Sequence, residues 1–352
     1  MHAIRFHTYG SPGVLRLEEV DRPVPGPGQV LVKVAGTSFN PVDAAFRAGH
    51  LQRVMPVALP HTPGVDLAGI VAELPDAPAD TTGANGRPTH TTSHTTGHTS
   101  GIATGHTTGT IGTTGTAAER AGFSPGDAVI GFLPMTDPGA AAEFVLAPAG
   151  VLTAAPAGIP LADAAAVPAV ALTAWQGLFE HAELRAGQRI LVNGAGGGVG
   201  GYAVQFAKQA GATVVATAGP RSATAVRAAG ADQIVDYTVT PVTDAVGEPV
   251  DAVFNLVAAD EAVMTALVAL IRPGGVLVST ASPAPEDAER KVRTTNMYVR
   301  SDAARLAEIV HRIDAGRVTV DISARHPLAD LARVHELSAT GGIRGKVVIT
   351  VA

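Results

Sequence analysis

The sequence predicts an α/β protein built from a β-rich domain and a doubly wound parallel sheet. Three observations predict it. The opening stretch breaks into short alternating bursts punctuated by Pro and Gly. From about residue 155, continuous Val, Ile and Leu runs alternate with helical segments, and the chain closes on one more apolar strand.

In the opening part, Val14-Leu15-Arg16-Leu17 and Val30-Leu31-Val32-Lys33-Val34 flank the breaker-rich Pro23-Val24-Pro25-Gly26-Pro27-Gly28, the spacing of short strands. Residues 81–116 differ: Thr, Gly and His recur, with His90, His94, His98 and His106 spaced by four, four and eight. Such a tract either binds metal through its imidazoles or forms an expanded surface loop. Its shortage of large apolar groups, which leaves ordering entropy uncompensated, favours the loop.

From 155 onward, strands are expected at 189–192, 213–216, 233–235, 250–254 and 275–278, with helices at 201–211 and 222–230. Uninterrupted Val/Ile/Leu strands separated by helices belong to parallel sheets covered on both faces. A helix over 302–315 and a strand at 346–351 follow. The expected division is therefore 1–154 with 291–352 as one domain, completed by the returning chain end, and 155–290 as the other.

With 46% apolar and 16% charged residues, 352 residues can bury more than one core. A net charge of −6 without clustered Lys and Arg gives no electrostatic reason to expect nucleic acid. No run of eighteen apolar residues suggests a membrane partner, and Met1-His2-Ala3-Ile4-Arg5-Phe6 lacks the long apolar stretch of a signal peptide, so a cytoplasmic setting is expected. The absence of Cys removes disulfides, thiolate catalysis and Cys-based zinc sites together.

Directly after the strand at 189–192 comes Asn193-Gly194-Ala195-Gly196-Gly197-Gly198-Val199-Gly200-Gly201, followed by a helix. A dinucleotide diphosphate needs backbone N–H groups and a helix N-terminus close by, so side chains there must be absent or small. Ala195 to Gly200 fits the G-x-G-x-x-G spacing with Ala195 in the first glycine's place. The next strand runs into Ala216-Thr217-Ala218-Gly219-Pro220-Arg221-Ser222, with no acid to hold a ribose 2′-hydroxyl and one Arg to meet a 2′-phosphate. The expected cofactor is NADP(H), with Arg221 as the phosphate partner.

These pieces, together with others spread along the chain, resemble the medium-chain dehydrogenase/reductase superfamily and its zinc-independent quinone oxidoreductase branch. They include Phe39-Asn40-Pro41-Val42-Asp43, Pro63-Gly64-Val65-Asp66-Leu67-Ala68-Gly69, Phe123-Ser124-Pro125-Gly126-Asp127, Ala171-Leu172-Thr173-Ala174-Trp175 and Arg344-Gly345-Lys346-Val347-Val348. The resemblance implies a GroES-like catalytic domain made from both chain ends, a Rossmann domain between them, and a homodimer. It also implies Asn40 and Thr173 near the nicotinamide and Tyr237 against the adenosine phosphate. Leu256, Val257, Ser279 and Thr280 then follow later strands at the ligand crevice, and Arg344 joins the cofactor set.

Zinc-dependent members of that superfamily carry Cys and His where this chain has Asn40 and Val65, so no metal is expected. Hydride addition to a conjugated carbonyl spreads charge onto oxygen and needs chiefly positioning, a hydrogen bond and a proton. Asn40 is the candidate hydrogen-bond donor. The branch often places a Tyr where Ala45 and Leu51 stand here, leaving His50 as the nearest titratable substitute. The expected activity is NADPH-dependent reduction of a small apolar quinone or enone. An enoyl reductase or tailoring enzyme of a biosynthetic pathway is the alternative, as is a non-redox cyclase or NADPH-binding protein on the same scaffold. Leu51, Met55, Phe132, Leu133 and Met135 are expected to line the substrate pocket.

Overall fold

The computed structural model describes residues 1–75 and 122–351. The Thr/Gly/His-rich tract at 81–116 lies outside the described residues. Two sheets dominate. The first has seven strands: Ile322–Pro327, Lys346–Thr350, Gln29–Ser38, Asp66–Glu73, Ala128–Phe132 and Leu152–Ala154 in spatial order, with Phe144–Pro148 also paired to Gln29–Ser38. The chain end does return to this domain, since Val348 pairs antiparallel with Ser38.

The second sheet is parallel throughout. Its order is Gln233–Val235, Thr213–Thr217, Arg189–Asn193, Val250–Asn255, Ile271–Ser279, Arg293–Asn296. Numbered along the chain this is 3-2-1-4-5-6, which reverses between Arg189–Asn193 and Val250–Asn255 and opens a crevice beyond the strand ends there. Successive residues of a strand face opposite sides. Ile190, Val192, Val214, Ala216, Ala252 and Phe254 accordingly enter one core, whereas Leu191, Val215, Val253 and Leu277 enter another. Two apolar faces explain why these strands read as unbroken hydrophobic runs. A third core fills the first domain around Phe6, Leu31's neighbours Val30 and Val32, Leu67 and Ile349.

The stretch Leu161–His181 is long and apolar enough to span a bilayer by composition, yet most of it is buried inside the protein as a core helix. At Gly177 the packing is so close that a Cβ would overlap the Phe254 ring.

Three expectations need correction. The parallel sheet continues past 291, because Arg293 pairs with Val276 in a sixth strand. That strand lies at the sheet edge, is polar and only partly buried, and so lacks the apolar run that marks its neighbours. The helix expected from 201 begins at Gly198, because glycine's poor helix propensity masks its first turn in the sequence. Phe132 and Leu133, expected in the pocket wall, are 2% and 1% exposed and belong to the cores.

Candidate active site

The crevice floor is a chain of polar groups across four strand ends. Gly194 N–H donates to Thr217 Oγ1 at 2.7 Å, and the Thr217 hydroxyl donates to Asn193 Oδ1 at 3.0 Å. Asn193 Nδ2 donates to Asn255 Oδ1 at 2.8 Å, and Asn255 Nδ2 donates to Ser279 Oγ at 3.1 Å. Sequence reasoning missed Asn193, Thr217 and Asn255 as a set. The available signal was a polar residue closing each apolar strand, where a buried side chain must find a partner.

This floor sets the glycine turn. Gly194 adopts φ +93°, and a Cβ there would lie 2.8 Å from Val257 Cγ1. A Cβ on Gly200 would overlap the Ala195 backbone, and one on Gly196 would overlap Ser222. Ala195 itself is 1% exposed, its methyl accepted by the core. Gly197 and Gly201 behave differently: among the described residues a Cβ on Gly197 would meet only Gly194 O at 3.5 Å, and one on Gly201 nothing within 4 Å. The protein does not itself require their bareness. Gly197 precedes the helix Gly198–Gln209 and offers no side chain to cap it. The first turn stands at the positive end of the helix dipole, with Gly345 bridged to Gly197 along one side of it. A helix N-terminus of this kind favours an anion.

Beyond the turn, Gly219 lies against Tyr237, whose hydroxyl would stand 3.3 Å from an added Cβ. Tyr237 is exposed. Arg221 is exposed as well and donates to Gly341 O at 3.1 Å. With Arg344, Ser323 and His326 it lines a groove of about 380 Å³ whose other walls come from the first domain. Arg344 also pairs with Asp321 at 2.9 Å. Leu256 N–H donates to Asn193 O, and Thr280 N–H to Asn255 O, which fixes both loops at the crevice. Thr173 and Ser279 are buried, and both use their hydroxyls internally. Thr173 donates to Ala169 O at 2.6 Å, and Ser279 Oγ accepts from Asn255 and from the amides of Ala281 and Ser282.

The second half of the site is a buried polar knot. Asp66 Oδ1 accepts from Ala169 N–H at 2.7 Å, and Oδ2 accepts from the Ser38 hydroxyl, from Asn40 Nδ2 at 2.9 Å and from Lys346 Nζ at 3.0 Å. Lys346 Nζ also donates to Asn40 Oδ1 at 2.5 Å. Both ends of the Asn40 amide are thus engaged inside the protein, so the donor expected for an enolate is occupied here. Asp43 accepts from the Asn40 and Gly64 amides. Burial pushes its carboxyl up to about 6, helped by Asp66 and opposed by those amides and Lys346. It shares a small cavity with His61 and Met135. His50 is exposed at the turn after the helix Pro41–Ala48, its N–H bonded to Ala45 O.

A catalytic zinc does not fit this donor set. Val65 offers no ligand, and Asn40 Oδ1 already faces an ammonium whose charge would repel a cation. Among the described residues no group of three or more His, Cys, Asp or Glu stands ready to hold a metal.

The alcohol dehydrogenase GroES-like domain profile matches residues 26–157, and the zinc-binding dehydrogenase profile matches residues 229–349. Together with the strand order and the glycine turn, they make the chain an oxidoreductase of the medium-chain dehydrogenase/reductase superfamily. Within that superfamily it belongs to the zinc-independent, quinone-oxidoreductase-like branch. The chloroplast envelope quinone oxidoreductase homolog of Arabidopsis thaliana is 29% identical over 367 aligned positions, covering 99% of this chain and 98% of the relative. The quinone oxidoreductase structure from Coxiella burnetii superimposes with a TM-score of 0.78 at 27% identity, covering 100% of this chain and 99% of that one. Mycobacterial Rv1454c, solved in complex with NADPH, superimposes with a TM-score of 0.77 at 26% identity over 99% of each chain.

Proposed function

We propose that the protein is an NADPH-dependent reductase that delivers hydride, without a metal, to the conjugated carbonyl of a small apolar quinone or enone. The observation that carries this reading is the open space over Gly197 and Gly201 at the head of an uncapped helix, where the parallel strand order reverses.

In this reading the backbone from Gly194 through Ala195, Gly196, Gly197, Gly198 and Val199 receives the diphosphate. Gly219 and Tyr237 flank the adenosine. Arg221 meets the 2′-phosphate, with Arg344 lining the same groove. Thr173, Leu256, Val257, Ser279 and Thr280 shape the nicotinamide end through packing and backbone rather than through the buried hydroxyls of Thr173 and Ser279. NADPH when bound supplies the hydride, and the conjugated acceptor spreads the resulting charge onto its oxygen. His50, exposed after the helix Pro41–Ala48, stands beside the positions Ala45 and Leu51 where the branch often carries a Tyr and is the side chain assigned as proton source. A homodimer, the usual assembly of this branch, and a cytoplasmic setting complete the reading, and sedimentation of purified protein checks the first.

The deciding experiment follows NADPH oxidation by the purified protein against a panel of quinones, enones and enoyl thioesters, with NADH as control. Turnover of quinones or enones with NADPH preferred is expected. Failure to bind NADPH, or no oxidation with any of them, overturns the reading. Turnover confined to enoyl thioesters overturns the quinone or enone assignment in favour of an enoyl reductase, and NADH preference removes the role given to Arg221.

A further inference from the structure

We propose that Lys346 is a positioning residue that joins the glycine turn to the Asn40 loop, so that a dinucleotide held at the turn meets a reaction loop already fixed in place. The proposal rests on the reductase reading for what occupies the turn. Consecutive residues make the join. Gly345 N–H donates to Gly196 O at 3.2 Å, and a Cβ on Gly198 would sit 3.4 Å from Lys346 Cδ. One residue along, the Lys346 ammonium points into the buried knot.

Its three protons are all used, on Asn40 Oδ1 at 2.5 Å, Asp66 Oδ2 at 3.0 Å and Phe39 O at 3.3 Å. No proton is left for a phosphate or a substrate, so Lys346 acts through other groups. An ammonium tolerates only the carbonyl end of an amide. Lys346 therefore dictates which way Asn40 faces and sends its NH₂ toward Asp66 Oδ2 and Ser38 O. Asp66 carries the same constraint onward to Ala169 N–H, in the first turn of the helix Pro168–Trp175 that bears Thr173. The Lys346 and Asp66 side chains are 3% and 0% exposed. A buried ion pair seldom exceeds a well-packed apolar pair in stability, and its best-attested use is to fix one arrangement.

The test combines Lys346→Met with Asp66→Asn, which removes both charges together and leaves neither one buried alone. It then adds Asn40→Ala to the wild type and to the pair. The paired variant is expected to fold and to bind NADPH more weakly. Its kcat should fall about tenfold or more with a larger isotope effect from deuterated NADPH, while substrate KM changes little. Asn40→Ala should cost far less in the pair than in the wild type, because the orienting group is already gone. A folded pair with wild-type kcat, or losses that simply add, overturns the proposal.

A wild-type measurement stands beside this. Residues 38–43 should already exchange slowly in cofactor-free wild type, and fast exchange there overturns the pre-set loop even if the variants do not fold. Wild-type protein that does not bind NADPH would instead sink the reductase reading, a separate failure.

Discussion

His335 offers a sharp test of how the catalytic domain is stabilised. It lies on the helix Leu331–Ala339, 1% exposed, edge-on to Phe39 with ring centroids 4.9 Å apart. Neither ring nitrogen has a hydrogen-bond partner among the described residues. A buried polar atom left unpaired costs about 1–3 kcal/mol. His335→Phe removes both nitrogens and keeps the aromatic pair. Two such nitrogens at about 2–6 kcal/mol, less about 1 kcal/mol for the larger ring, give an expected stabilisation of about 1–5 kcal/mol at pH 7.

The pH dependence sharpens this. Burial, with Arg47 nearby, pushes the imidazole down from 6.5 to about 3. As pH falls below 6.5 the unfolded chain takes up the proton while the folded ring stays neutral, so the fold loses stability. At pH 5 that loss is about 2 kcal/mol, from 1.5 pH units at about 1.36 kcal/mol each. His61 is pushed down to about 4 by burial and is lost from neither protein, so it cancels in the comparison. Urea unfolding at pH 7 and pH 5 should therefore show the advantage of His335→Phe growing by about 2 kcal/mol at the lower pH. A variant less stable than wild type at pH 7, or an advantage no larger at pH 5, refutes the reasoning.

Other substitutions probe the cofactor site. Gly200→Ala should push the helix start off the Ala195 backbone and weaken NADPH binding by about tenfold or more, measured by titration. Gly177→Ala should lower stability by about 1–3 kcal/mol through overlap with Phe254, read by thermal unfolding, while the folded fraction still binds NADPH normally. Arg221→Ala should raise the NADPH dissociation constant by about tenfold or more and leave NADH binding unchanged, because in the proposed reading the 2′-phosphate is the part of the cofactor that meets the guanidinium.

The legible parts of the fold were those written in local pattern. Strands Arg189–Asn193, Thr213–Thr217 and Val250–Asn255 showed as apolar runs because both their faces are covered. The glycine turn showed because backbone approach leaves a mark in composition. The edge strand Arg293–Asn296 did not, since half its surface is free to be polar. Lys346 was readable only as the start of a strand. Its partners Asp66 and Asn40 lie 280 and 306 positions away, and no local spacing announces a contact closed at that distance. Asn40 was legible as a residue of the reaction loop, while the internal engagement of its amide emerges only once the chain end is in place.

That chain end also sets an order of assembly. The strand Gln29–Ser38 is made early in synthesis, but one of its neighbours, Lys346–Thr350, leaves the ribosome more than three hundred residues later. The parallel sheet between them is contiguous in sequence and can mature while translation continues. Until the last strand docks, the N-terminal domain carries an open edge with Val32, Val34 and Leu67 behind it. Nascent chains stalled before residue 346 thus leave that edge open to pairing with one another.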